Sequence, residues 1–160
     1  MRTVLFVCHA NTCRSVMAQV LLARMLEERS VNDRIRVASG GVGNVARDGM
    51  ISSLDARIVL REEGIHLGET AIVSTDLREH PEVVAGADLI LTMTAAQKGA
   101  VAALAGTDGR PVFTLREFAG EDGDIGDPVG RDEDVYRACR DEIKRCLKLS
   151  LGRLLVTLSP

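Results

Sequence analysis

The sequence predicts an α/β fold: a three-layer domain in which a four-stranded, parallel, doubly wound sheet carries helices on both faces. Two observations lead there. Short β-branched, apolar runs alternate along the chain with longer segments of helical spacing, which is how successive βαβ units read. The first such run, Val4-Leu5-Phe6-Val7, is apolar at every position, as a strand covered on both faces must be. Because crossovers between parallel strands are right-handed, few topologies remain. We expect the strand order 2-1-3-4, with the first strand central.

Taken in order, residues 2–7 are the first strand, too short for an ordinary helix. Met17, Leu21, Leu22, Met25 and Leu26 fall at helical spacing within a helix from Val16 to Arg29. Arg34 to Ala38 is the second strand, which Ser39-Gly40-Gly41 should terminate. Residues 41–50, with three glycines and an asparagine, form a loop. A helix from Ser52 to Glu63 follows, capped by Ser52 or Ser53 and stopped by Gly64. Leu77 to Val84 is a weak helix interrupted by Pro81. Asp88 to Met93 is the third strand, Ala95 to Leu104 the next helix, and Pro111 to Leu115 the fourth strand. A glycine- and acid-rich loop, Gly120 to Gly130, leads to a final helix from Glu133 to Val156. There are no repeats or linkers, so residues 1–160 read as one domain.

Composition excludes several classes. With 46% apolar and 27% charged residues, the chain has ordinary globular usage. Its aromatic residues are Phe6, Phe113, Phe118 and Tyr136 alone, so the core must be aliphatic. A net charge of −3 gives no general attraction to nucleic acid or to an anionic membrane. No apolar run approaches membrane-spanning length. Four irregularly spaced cysteines without a secretory signal read as reduced thiols, and the expected location is the cytoplasm.

The chemistry is concentrated where the first strand empties into Cys8-His9-Ala10-Asn11-Thr12-Cys13-Arg14-Ser15 and a helix begins. Backbone N–H groups of such a turn, and the free ones of the helix start, converge on a single point and make an oxyanion cradle. Their positive field favours a thiolate at Cys8. Arg14 can clamp phosphate oxygens in a planar, bidentate fashion. In open α/β sheets ligands bind beyond the carboxyl ends of the strands, which is where Cys8 stands. A thiolate and a phosphate cradle together predict a phosphatase. Ser15 is placed to donate to the thiolate or to cap the helix. Asn11 can hold the turn in a left-handed conformation. Cys13 is either a redox partner of Cys8 or a small core residue. His9 is expected at the exposed edge of the turn, where it either touches substrate or stays idle. Cys139 and Cys146 align on the last helix with Val135 and Ile143 as a core-facing stripe.

The stretch from Val4 to Leu22 resembles the active-site signature of the low-molecular-weight protein tyrosine phosphatase family, C-x-G-N-x-C-R-S-P, here Cys8 to Val16. The likeness spans nearly the whole chain. Ala38-Ser39-Gly40-Gly41 stands at the family's Ser-Ala-Gly turn, Ala87 to Met93 at its third strand, and Asp127-Pro128 at its acid-bearing Asp-Pro motif. The resemblance implies a flavodoxin-like sheet and metal-independent, cofactor-free catalysis. It makes Cys8 the nucleophile, Arg14 the clamp and Asp127 the general acid and base, in preference to Asp122 and Asp124. Residues 9–13, Ser15 and Val129 would line the substrate site. Phosphorylated proteins would be the substrates, and inorganic phosphate and related oxyanions inhibitors, with neither nucleic acid nor membrane as partner.

Two positions depart from the pattern. Ala10 replaces a glycine, which would cost about 1–2 kcal/mol if that position required positive φ. Val16 replaces a proline and restores an N–H. Within the family the chain is most similar to the bacterial protein-arginine phosphatase branch. Thr12, the run Val112 to Glu117, and Asp134-Val135-Tyr136-Arg137 carry that likeness, whereas Val129 stands where the branch has phenylalanine. Phosphoarginine is therefore expected ahead of phosphotyrosine. The alternatives are an arsenate reductase of the same fold, whose thiol relay would have to recruit the final helix, and a weakly active phosphate-binding module.

Overall fold

The computed structural model describes residues 1–104 and 109–159. Strands β1 (Arg2–Cys8), β2 (Ile35–Gly41), β3 (Leu89–Thr92) and β4 (Val112–Thr114) form one sheet of order β2-β1-β3-β4 with every pairing parallel. This is the predicted topology. The helices are α1 (Arg14–Glu28), α2 (Leu54–Arg61), α3 (Pro81–Ala85), α4 (Ala95–Ala102), α5 (Leu115–Phe118) and α6 (Glu133–Thr157). None of them is long and apolar enough to cross a membrane.

β1 explains both faces. Val4, Phe6 and Cys8 point into a cluster with Met17, Leu22, Val59, Leu60, Ile143 and Leu147, under α1, α2 and α6. Leu5 and Val7 point the other way, toward Leu77, Val84, Ile90 and Val101. Val4 through Val7 are wholly buried, so the run has no polar alternation to show. Burial contributes on the order of 1.5–3 kcal/mol for each large apolar side chain. Register places Cys8 opposite Gly41 and Val7 opposite Thr92, so the carboxyl end of β1 is level with both neighbours.

Several boundaries differ from expectation, each for a physical reason. Ser39-Gly40-Gly41 continues β2 instead of ending it. A Cβ on Gly40 would fall 2.5 Å from Leu77, and one on Gly41 2.9 Å from the His9 carbonyl; these glycines serve close packing rather than a turn. Pro81 starts α3 rather than interrupting a helix, because its missing N–H costs nothing in the first turn. Leu115 belongs to α5, which a reciprocal capping box starts: Thr114 accepts from Glu117 N, and Glu117 accepts from Thr114 N. α1 begins two residues earlier than its apolar spacing, and α4 stops at Ala102. Ser53 caps α2, and Gly64, at φ 78°, follows its end. In the stripe on α6, Cys139, Ile143 and Cys146 are buried as expected but Val135 is exposed.

Candidate active site

The turn between β1 and α1 closes over Cys8. Asn11 adopts φ 60°, one of two non-glycine residues among those described in the left-handed region. An asparagine tolerates that conformation better than other residues. Ala10 is not in that region, so the conformational penalty considered for its substitution does not arise.

A chain of hydrogen bonds fixes the direction of the proton beside Cys8 Sγ. The Thr75 backbone N–H donates to Asn11 Oδ1 at 2.9 Å. A backbone N–H can only donate, so the remaining Asn11 group is the amide nitrogen, which donates to Ser15 Oγ at 2.7 Å. The Ser15 hydroxyl hydrogen is then left for Cys8 Sγ, 3.0 Å away. Asn11 N also donates to this sulfur at 3.3 Å. Two donors therefore converge on Sγ.

Arg14 is buried at the first position of α1 and donates through Nη1 to the Ile125 carbonyl at 2.7 Å. Its Nη2 lies 3.5 Å from Asp127 Oδ2. Asp127 is half-exposed, and its Oδ1 accepts from Val129 N at 3.1 Å across Pro128. The loop is anchored just before it. Ile125, wholly buried, donates its N–H to the Met93 carbonyl at 2.9 Å, and Asp124 accepts from Ala95 N at 2.9 Å. Of the three candidate acids, Asp124 is engaged at the start of α4, and only Asp127 lines the pocket.

That pocket is lined by Cys8, His9, Ala10, Thr12, Cys13, Arg14, Asp127 and Val129. The Thr12 carbonyl accepts from Ser53 N at 2.8 Å, tying the turn to the start of α2. The His9 ring packs against residue 43, where a Cβ would fall 2.0 Å from Nδ1. Cys13 is buried, and burial pushes its thiol far up from its ordinary value. Cys139, also buried, is pushed up to about 12. Val16 is wholly buried in the first turn of α1. No group of three or more His, Cys, Asp or Glu among the described residues is placed to hold a metal.

Residues 3–155 match the model of the low molecular weight phosphotyrosine protein phosphatase family. The chain belongs to that family. It is 39% identical to a protein-arginine-phosphatase of Geobacillus stearothermophilus over 142 residues, 88% of each chain. It is 34% identical to the low molecular weight protein-tyrosine-phosphatase PtpB of Staphylococcus haemolyticus, over 86% of this chain and 89% of the other. A solved YwlE arginine phosphatase, a Cys-to-Ser variant with a phosphorylated active-site serine, superposes with a TM-score of 0.84. That pair shares 35% identity over 96% of this chain and 95% of the other.

Within this phosphatase fold the pocket gathers every residue expected at the site except Asn11 and Ser15, which support Cys8 from behind. Sequence reasoning missed the supporting backbone groups: the N–H of Thr75 and of Ser53, and the carbonyl of Ile125. Backbone donors carry no side-chain signal. Gly41 and Gly43 did carry one, since alternate glycines opposite a nucleophile turn indicate close approach.

Proposed function

We propose that this family member is a protein-arginine phosphatase working through a phosphocysteine intermediate. The observation that carries the substrate choice is the pocket wall. Thr12 and Asp127 offer polar partners to a guanidinium. The curated relatives named for arginine dephosphorylation point the same way.

The reaction divides into two displacements. Cys8 Sγ attacks phosphorus and forms the S–P bond, while the P–N bond to the arginine guanidino group breaks. Asp127 delivers its proton to the departing nitrogen. Arg14 and the turn's N–H groups hold the equatorial oxygens, where charge spreads in the transition state. Asp127, now a carboxylate, takes a proton from water attacking phosphorus, with Thr12 orienting that water. The S–P bond breaks, phosphate leaves, and the thiolate is restored. Neither metal nor cofactor enters a step. Phosphorylated proteins are the substrates; inorganic phosphate and similar oxyanions compete for the cradle. Four free cysteines suit a reducing compartment such as the cytoplasm.

The test is steady-state hydrolysis of matched phosphoarginine and phosphotyrosine peptides by the wild type, Cys8→Ser and Thr12→Val under reducing conditions. The wild type should prefer phosphoarginine, Cys8→Ser should be inactive, and Thr12→Val should shift preference toward phosphotyrosine. A wild-type preference for phosphotyrosine would overturn the substrate assignment and leave the mechanism. Arsenate-dependent thiol oxidation without turnover of either peptide would replace it with the reductase reading.

A further inference from the structure

Loop 41–50, which packs on the back of the cradle, is fastened by a strap of residues 73–80 that takes no part in the chemistry. Gly41 N donates to the Thr75 carbonyl and Leu77 N to the Gly41 carbonyl, both at 2.9 Å. Ser74 N reaches the Met50 carbonyl, and Gly49 N the Ser74 carbonyl, also at 2.9 Å. Ser74 Oγ bonds the Arg47 carbonyl, and Arg78 Nη2 donates to the Ala46 carbonyl at 3.2 Å. The same strap supplies the Thr75 N–H that orients Asn11.

His80 stands at the end of this strap, at the N-cap of α3. Its Nε2 is 2.6 Å from Asp48 Oδ2 and its Nδ1 is 3.3 Å from Glu82 Oε1. Both partners, as carboxylates, only accept. A neutral imidazole has one N–H and can satisfy one of them; the imidazolium satisfies both. The other Asp48 oxygen accepts from Asp76 N at 2.8 Å, so Asp48 joins the loop to strap and histidine together. Behind it Asp76 takes a two-pronged contact from Arg78, at 3.0 Å on each side. The charged groups facing the ring are Asp48 from the loop and Glu82 from α3; behind Asp48 stands the Asp76–Arg78 pair of the strap, with Glu79 beside Arg78.

We propose that His80, as the imidazolium, is a positioning residue for the active site: it latches Asp48 and so holds loop 41–50 against His9 and the cradle. The loop's own bonds to the cradle are Val42 N to the Cys8 carbonyl at 3.1 Å and Gly43 N to the His9 carbonyl at 2.8 Å. These are what the latch keeps short. Its kinetic readout rests on the phosphatase reading above; its titration readout does not.

The direction of the pH effect follows from the partners. The Asp48 hydrogen bond holds the His80 pKa above the ordinary 6.5, with Glu82 acting in the same direction. The latch therefore carries its charge and both bonds below the ordinary imidazole value, and weakens to a single neutral hydrogen bond as pH rises through the raised one. Asp48, held below the usual carboxylate range first by the Asp76 N–H and then by His80, remains charged across this interval.

The experiment follows the His80 ring and the amides of Gly43 and Gly49 by NMR between pH 5.5 and pH 9, in the wild type and in His80→Gln. Glutamine can donate to Asp48 at every pH without titrating. In the wild type the ring should titrate above 6.5 and both amides should follow it; in His80→Gln that component should vanish while the spectrum stays folded. In parallel, KM for a phosphoarginine peptide should rise about two- to fivefold across the same interval, the size of one exposed ion pair. In His80→Gln it should stay flat, with kcat little changed in both proteins. A ring titrating at its ordinary value, amide titrations that persist in His80→Gln, or a flat wild-type KM would each overturn the proposal. Should neither peptide be turned over, the phosphatase reading fails and the two NMR measurements still decide the latch.

Discussion

The cradle and the acid loop meet at Arg14 but are built on opposite plans. The cradle is closed by consecutive residues, of which Cys8, Asn11, Cys13, Arg14 and Ser15 are buried, and each polar group around Cys8 has a fixed partner. The acid loop carries glycines at 120, 123, 126 and 130, and the Asp127 carboxyl is half-exposed. Its tertiary ties lie mostly before Asp127, at Glu121, Asp124 and Ile125. The difference matches the tasks. Charge stabilisation works through dipoles that do not reorganise during the reaction. In the proposed mechanism Asp127 protonates the leaving group and then deprotonates water, meeting two partners in turn, and a short, loosely flanked segment allows it.

The comparison breaks most completely at the nucleophile. Cys8→Ser should lower kcat by about 10⁴-fold or more while the pocket still binds inorganic phosphate, which single-turnover kinetics and isothermal titration would check. Next comes the acid. Asp127→Asn should cost about 10²–10⁴-fold in kcat, with KM moving far less, because Arg14 and the turn remain in place. An equal loss in both parameters would place Asp127 in binding rather than proton transfer.

Asn11→Ala sharpens the cradle's side of the contrast. It removes the bond that commits the Ser15 hydrogen to Cys8 and leaves the partly buried Thr75 N–H without Asn11. We expect a loss of about 1–3 kcal/mol in stability, read by urea denaturation, and a roughly tenfold lower kcat on the scale of one misdirected catalytic hydrogen bond. Full activity in this variant would mean that Ser15 keeps its orientation without help.

The same contrast explains how much could be read from the sequence. Cys8, Arg14 and Ser15 are legible because their roles depend on residue type and near-neighbour spacing, and the sheet order followed from the alternation of strand and helix. Asp127 was separable from Asp122 and Asp124 by its proline, but the reason the others do not compete, the bond from Ala95 N to Asp124, is tertiary. The Gly40-Gly41 pair read as a turn because a sequence does not reveal that Leu77 and the His9 carbonyl press against it. Pro81 read as an interruption because nothing local shows that the preceding residues pair with loop 41–50 instead of forming a turn of helix. The strap from 73 to 80 was invisible for that reason, and with it the partners of Asn11 and Asp48.

The smallest expected effect tests whether the acid loop's looseness is confined to the residues around Asp127. Asp124 accepts from the first N–H of α4, so Asp124→Ala removes both a helix N-terminal contact, worth about 0.3–1 kcal/mol, and one of the anchors of the loop. The thermal midpoint should fall by about 1–4 °C, given about 2–4 °C per kcal/mol in a chain of this size. Turnover should fall about threefold, the equivalent of well under 1 kcal/mol, as Asp127 samples a wider range of positions. Asp122→Ala, in the exposed part of the same loop, serves as the control and should leave both values unchanged. If Asp122→Ala were as costly as Asp124→Ala, the loop would be held along its whole length, and the distinction between a fixed cradle and a mobile proton donor would fail.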